Sequence, residues 1–529
     1  MDPVALLTLL GLVVAFYAII SPERRLDLRL RLNWLDWTLI SLCIALVHYI
    51  SYFDVLQSVG LTFDLGTWRY GFGPDNASYL IILFTGLFVG IHSRKSPLRM
   101  RKIHVFRELS ERLMQEGKYS ELVFLVEQHH RGLFRIYNSD FFLPQLKKKL
   151  SPSLEIVIKI IGEEEVLKPK PSISTKVKTI LISFGGRLAE FLPSGEKSAS
   201  VAEDIVRRIF LSEEFVAHFA KVRPYLALDI LSHEFYERED FLSLYVRCLL
   251  INRSSILYHE IRHNQYGSME RYLIDSRNRF ISYFLSDAHI AEKTSIYKPF
   301  GDYAIDYLDE LSLDPAHDPY NSPLLDYHEK DRWRCPIHAT IRFFDVMIPE
   351  SLFQGIEWHM WLYYFPPIAD KILRNLAPKP NVDIDREWPT PYHCLLYEMV
   401  SALSDWIRAV EKVPGDQSNI VLKNDRVDHE NSNIPKSAIL ALGQVIHSVM
   451  QANSLEMKFK SYLLETAIRT LEDLKNNQNT KQFAVVLRRS ILCGGYEYNR
   501  DIDSYRETLY AALGSVDILL RQELDNDIE

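Results

Sequence analysis

Residues 37–53 read Trp-Thr-Leu-Ile-Ser-Leu-Cys-Ile-Ala-Leu-Val-His-Tyr-Ile-Ser-Tyr-Phe, a run with no carboxylate, lysine or arginine. Two further apolar runs flank it, Val4 to Ile20 and Tyr79 to Ile91 with its neighbours. Each approaches the ~17 to 25 residues that a helix needs to cross ~30 Å of hydrocarbon. In lipid no water satisfies the backbone, so every N–H must bond within its own segment, and within a single run only a helix achieves this. Residues 1–95 are therefore expected to form a transmembrane domain of three helices. The fold class that follows is membrane α plus all-α, three transmembrane helices ahead of a large helical cytoplasmic domain, solenoid-like or bundled.

Basic residues set the expected orientation. Arg24, Arg25, Arg29 and Arg31 lie between the first two runs, and Arg94, Lys95, Arg99, Arg101 and Lys102 follow the third. The loop from Asp54 to Ser78 carries only Arg69. Cations stay in the cytoplasm, so the N-terminus and that loop face outward and the chain beyond Ser93 is cytoplasmic. The first run follows Met1-Asp2-Pro3, with no basic segment before it and no small-residue cleavage site after Ile20, and is read as a retained anchor. The expected location is a multi-pass protein of the inner (plasma) membrane.

Composition bounds the remainder. The chain has 529 residues, 47% hydrophobic and 25% charged, enough for a large core and two or three soluble subdomains. A formal net charge of −8 leaves no general footprint for nucleic acid, so a polyanion would have to meet a local cluster. Cys43, Cys248, Cys335, Cys394 and Cys493 form no CxxC pair and read as free thiols of a reducing compartment.

Along the chain, Ile103, Phe106, Leu109 and Leu113 recur at helical spacing and Gly117 closes the run. A second helix from Ser120 to about Ile136 completes a hairpin within a juxtamembrane region, 96–162. The stretch Gly162 to Thr175 reads as a linker or an ordered loop. A helical sensor domain is expected over 172–411, with helices near 173–191, 201–221, 224–236, 241–251, 269–286 and 303–313. No alternating strand pattern of comparable length accompanies them. Pro366-Pro367 is expected to stop the aromatic run that begins at Trp358. Loops at 377–392 and 413–435 precede a C-terminal helical block, 434–529.

The sharpest motif is His259-Glu260-Ile261-Arg262-His263, an H-E-x-x-H pattern. On a helix the two histidines share a face, the zinc geometry of metalloproteases, with the glutamate placed to activate water. Arg262 would set a cation beside that metal, and His289 or Glu292 would have to serve as third ligand. The surrounding stretch supports an anion site with more of its residues: Arg253, His259, Arg262, His263, Asn264, Gln265, Tyr266, Arg271, Arg277 and Arg279. Guanidinium forks bind phosphate bidentately, and tyrosine or histidine rings stack on bases. Arginines on a solvated face, paired with Glu260, Glu270 and Asp275, account for the same residues. A second set, Asp302, Asp306, Asp309, Asp314, His317 and Asp318, offers oxygen ligands to a cation, although Asp-Pro turns explain it too. No GxxxxGK[ST] or GxSxG is present, and no cofactor is implied.

Three apolar runs before a large helical body with an anion-binding stretch resemble the membrane effectors of bacterial anti-phage defence, of which the Hailong type is one. The resemblance covers the three runs and the existence of a sensor domain, and transfers no residue role. It implies a channel gated by a nucleotide or short oligonucleotide, and a partner enzyme that makes that signal. Three helices cannot enclose a polar path alone, so a cyclic homo-oligomer such as a tetramer is expected. The expectation is thus a ligand-gated channel without catalytic residues. A membrane-tethered zinc hydrolase using His259, Glu260 and His263 is the alternative, and a membrane-anchored helical scaffold the third.

Overall fold

A computed structural model describes residues 22–32, 34–61, 74–95, 98–139, 196–263, 267–268, 271–272, 274–324, 327, 330–356, 361–412, 434–478, 480–495 and 502–514. The run from Val4 to Ile20, the linker at 162–175, the helix expected at 173–191 and residues 413–433 lie outside them. The fold is all-α, interrupted among the described residues by one two-residue hairpin. It divides into two compact units, Met1–Glu237 and Arg238–Glu529.

The first unit begins with α1 (Pro22–Arg31), α2 (Trp34–Ser51), α3 (Phe53–Ser58) and α4 (Pro74–Lys95). Among the described residues α2 is the one helix long and apolar enough to cross a membrane, by length and composition, and 17% of that span is buried. The apolar part of α4, Asn76–Val89, is shorter. The two helices pack on each other, yet Trp37, Leu42 and Ile44 on α2 and Leu83, Phe84 and Leu87 on α4 remain exposed. Most of their large apolar side chains thus face away from the protein, the reverse of a helix in a soluble core.

α5 (Ile103–Gln115) and α6 (Tyr119–Tyr137) form the expected hairpin. Ile103, Phe106, Leu109 and Leu113 are buried on one stripe of α5, each contributing about 1.5–3 kcal/mol relative to exposure. Gly117, at φ +67°, turns the chain in the left-handed conformation that a Cβ disfavours. The single helix expected over 201–221 is instead two, α7 (Glu196–Phe210) and α8 (Glu213–Val222). The Ser212 side chain accepts the Phe215 N–H at 3.3 Å, offering the backbone a helix start in place of a continuation. A short helix, α9 (Leu226–Leu231), ends this unit.

The second unit contains α10 (Arg238–Ile251), α11 (Ile256–His263), the strands β1 (Gly267–Ser268) and β2 (Arg271–Tyr272), α12 (Arg279–Leu285), α13 (Ala288–Thr294) and α14 (Tyr297–Ser312). The helix expected over 269–286 is realised only at its end. β1 pairs antiparallel with β2, with Gly267 opposite Tyr272 and Ser268 opposite Arg271. Asp275 then accepts the Arg277 N–H at 2.9 Å, and this side-chain turn delays the helix to Arg279.

Next come α15 (Pro336–Phe353), α16 (Phe365–Asn375) and α17 (Pro391–Arg408). Pro366-Pro367 opens α16 rather than stopping a helix, because the first turn needs no backbone donor there. The last block is α18 (Ile434–Gln451), α19 (Met457–Asn476), α20 (Lys481–Cys493) and α21 (Ile502–Leu513). α18 packs against α16, α17 and α20. Its approach to α20 requires Gly443: a Cβ there would lie 2.1 Å from the Ser490 hydroxyl and 2.9 Å from the Gly495 nitrogen.

One polar feature of the first unit makes its stability depend on pH. His130 is buried and faces His233, which stacks on Phe134 at 4.6 Å between ring centroids. Burial, which penalises the imidazolium, depresses both histidines below the ordinary value of 6.5. A depressed folded pKa gives stability present above the unfolded pKa and lost as pH falls through it. Thermal melts followed by circular dichroism should therefore show a lower Tm at pH 5 than at pH 7. The double variant His130→Leu/His233→Phe should lose less over that interval; an equal loss would assign the pH dependence to other groups.

Candidate functional site

The H-E-x-x-H motif lies on α11 as expected, but its members face in different directions. Glu260 is 1% exposed, and its carboxylate accepts the backbone N–H of Phe280 at 3.3 Å and of Ile281 at 3.0 Å. It thus caps the start of α12, where backbone donors have no partner within the helix. His259 and His263 are exposed, with rings 4.3 Å apart, and Nδ1 of His263 lies 3.0 Å from the His259 carbonyl. His289 is paired instead with Glu292 at 3.4 Å. Among the described residues no group of three or more histidine, cysteine or carboxylate side chains is arranged to hold a metal ion.

The anion-binding set is dispersed over several short elements. Arg253 donates to the Tyr307 hydroxyl at 2.9 Å. Arg277 is held by Asp275 at 2.5 Å, which draws the Asp275 carboxyl down to about 2 by hydrogen bonding. Arg262 and Arg279 are exposed at the end of α11 and the start of α12. Arg271 occupies β2, and Asn264, Gln265 and Tyr266 lie outside the described residues.

The acidic set is used piecemeal. Asp302 accepts the Tyr364 hydroxyl at 2.7 Å, Asp309 pairs with Lys371, and Asp314 pairs with His317 at 2.9 Å. Asp306 is an exposed position on α14. Asp318 is buried and accepts the Tyr392 hydroxyl at 2.7 Å and the Tyr320 N–H at 2.8 Å. It ties the loop after α14 to the start of α17.

A cavity absent from these expectations lies between α15 and α17, with a volume of about 240 Å³. His338, Ile341, Arg342 and Asp345 of α15 face it at i, i+3, i+4 and i+7. Glu398, Ser401, Ala402 and Asp405 of α17 repeat that spacing. His338 hydrogen-bonds Glu398 seven residues before Asp345 and Asp405, and Arg342 acts on both Glu398 and Asp405. The two helices therefore run parallel here, each residue of one lying beside the residue sixty positions later. Local sequence starts both helices: Pro336 and Pro391 stand in their first turns, and the Cys335 sulfur accepts the His338 N–H at 3.4 Å.

The polar centre is a histidine–carboxylate pair. His338 is 1% exposed, and its Nδ1–H donates to Oε2 of Glu398 at 2.7 Å. The Arg332 guanidinium stands 3.9 Å from Glu398 and 4.5 Å over the Trp333 ring. Burial pushes the Glu398 carboxyl up, but His338, Arg342 and Arg332 together hold it below the usual carboxylate range. With Nδ1 engaged, Nε2 of His338 is buried and has no hydrogen-bond partner. A signal for this site was present in the sequence as polar residues at helical spacing inside two apolar segments, but it became legible only once the sixty-residue register was known.

A second polar network lies in the first unit, where α1 meets α6. Asp27 accepts Nε2–H of the buried His129 at 2.8 Å and Nε–H of Arg31 at 2.7 Å, while Arg31 also donates to Gln128 at 3.1 Å. Burial pushes the Asp27 carboxyl up, and the bonds from His129 and Arg31 outweigh it and hold the group below its ordinary value of 3.8. The helix that follows the first apolar run in sequence is thereby fastened to the α5–α6 hairpin.

Comparison with known proteins finds no matching family model, no similar curated protein and no similar solved structure.

The capping role of Glu260 gives a direct test. Glu260→Ala leaves two buried N–H groups without their acceptor and should cost about 1–3 kcal/mol of unfolding free energy. His259→Ala and His263→Ala, at exposed positions, should stay within about 0.5 kcal/mol of the wild type. Chemical denaturation measures both. Equal losses at all three positions would mean that the motif acts as one unit.

Proposed function

We propose that the chain is a multi-pass membrane effector that assembles with copies of itself into a cyclic homo-oligomer and forms a ligand-gated channel. The supporting observation is the uncovered apolar surface of α2 and α4. Apolar area left in water costs roughly 25 cal/mol per Å², and a bilayer or a neighbouring subunit removes that cost. In this reading the run from Val4 to Ile20 supplies a third span, the helical body lies in the cytoplasm at the inner membrane, and subunits in a ring complete the pore. The resemblance to anti-phage effectors supplies the ligand class, a nucleotide or short oligonucleotide made by a partner enzyme. Exposed Arg262 and Arg279, with Arg253 and Arg271 nearby in sequence, are the groups that would receive its phosphates.

Coupling in this proposal runs along two routes within the first unit. One is the chain from Lys95 into α5, and the other is the Asp27 contact between α1 and α6. Purified protein in planar bilayers should conduct, and nucleotide should change that conductance. Asp27→Asn, or several glycines inserted between Lys95 and Arg99, should spare oligomer formation and nucleotide affinity while weakening the response to nucleotide. A monomeric protein that never conducts overturns the channel. Unchanged gating in both variants reduces α2 and α4 to an anchor.

Topology is tested separately. A reporter fused after Ser93 should be cytoplasmic and one inserted near Asp75 external; the reverse pattern would deny a cytoplasmic nucleotide access to the helical body.

A further inference from the structure

The two histidines at the end of α11 carry an inference that stands whether or not the chain crosses a membrane. His259 and His263 are one helical turn apart and both exposed, with ring centroids 4.3 Å apart. Beyond the contact of Nδ1 of His263 with the His259 carbonyl, neither ring makes a hydrogen bond. That separates them from His130 and His338, whose Nε2 atoms are buried away from solvent.

The single bond fixes the chemistry of His263. A carbonyl oxygen only accepts, so Nδ1 carries the proton and the neutral ring presents the lone pair of Nε2 outward. Metal-bound histidines are ordinarily held in this way, one ring nitrogen donating to a backbone carbonyl or carboxylate while the other takes the ion. His259, with no hydrogen bond to its ring, is free to turn a nitrogen toward its neighbour. With metal–nitrogen distances of ~2.0–2.1 Å and a right or tetrahedral angle at the ion, two coordinated rings have centroids roughly 4.5–5 Å apart. The observed 4.3 Å lies a small side-chain rotation from that arrangement.

We propose that His259 and His263 chelate a divalent transition ion of the zinc, nickel or copper class on the surface of α11. Imidazole nitrogens suit these ions, whereas Ca²⁺ and Mg²⁺ prefer oxygen. Glu260 takes no part, because its carboxylate is committed to the Phe280 and Ile281 N–H groups. Asp275, whose charge interacts with that of His263, is held by Arg277 and is not counted as a ligand. The pair fills two positions of the coordination shell, and water fills the rest. Exposed Arg262 lowers the affinity by repulsion, which salt screens, without closing the site. Four-residue spacing brings the rings together only on a formed helix, so the ion also stabilises the end of α11.

The test uses full-length protein in detergent, freed of metal with a chelator, and isothermal titration with Zn²⁺ and Ni²⁺ at pH 7, with Ca²⁺ as control. Other histidines and the five cysteines also take up metal, so the readout is the difference from the double variant His259→Ala/His263→Ala, whose fold is checked by circular dichroism. The wild type should bind one equivalent more of Zn²⁺ and of Ni²⁺ than this variant, and no more Ca²⁺. Either single variant should weaken that site at least about tenfold, because the second ligand no longer acts at the high effective concentration set by the first. Lowering the pH to 5 should abolish the extra equivalent, since protons compete for the same lone pairs. Glu260→Gln, if folded, should retain it. Equal uptake by the wild type and the double variant overturns the inference, as does unchanged affinity in either single variant. Loss of the ion in folded Glu260→Gln overturns it too, by making H-E-x-x-H one metal-binding unit.

Discussion

Apolar surface and what covers it governs this chain. In the second unit, α18 is enclosed by α16, α17 and α20, and Ile439, Leu442 and Ile446 are wholly buried. There the hydrophobic effect is satisfied within the chain, and Gly443 marks how closely the backbones must approach for it to be so. In the first unit α2 and α4 are as apolar as core helices but turn Trp37, Leu42 and Phe84 outward. The same driving force therefore gives a closed body in one unit and a demand for lipid or a partner in the other.

Buried polar groups follow a related constraint, since each needs a partner or costs the fold free energy. Glu260 meets it by capping α12, Asp318 by gathering the Tyr392 hydroxyl and the Tyr320 N–H, and Arg31 by donating to the half-buried Asp27. Each removes a residue from the pool available for chemistry. Nε2 of His338 does not meet it, and neither do Nδ1 of His129 and Nε2 of His130, each buried with nothing to bond.

The sequence made the helical class legible through spacing alone: the stripe of Ile103, Phe106, Leu109 and Leu113 needs no tertiary knowledge, and neither does the turn at Gly117. It failed where local side-chain bonds outweighed periodicity. Ser212 captures a backbone N–H and starts a helix in mid-pattern, Asp275 captures another and delays one to Arg279, and Pro366-Pro367 begins a helix because the first turn does not use the donors that proline lacks. The H-E-x-x-H motif was legible as a motif but not in its orientation, because spacing places His259 and His263 on one face without saying which face meets Phe280. The cavity was hidden for a different reason: His338 and Glu398 become neighbours only through the packing of two helices far apart in the chain.

That separation has a consequence during synthesis. His338 leaves the ribosome sixty residues before Glu398, a delay of roughly 3–12 seconds at ~5–20 residues per second. Over that interval α15 exists without the helix that completes its polar face, with α16 emerging between them. Parallel pairing across so long a connection is a non-local contact, and such contacts form slowly. Nascent chains shorter than the end of α17 therefore carry the imidazole of His338, the guanidinium of Arg342 and the carboxylates of Asp345 and Glu350 on an otherwise apolar helix, a combination suited to transient capture by a chaperone.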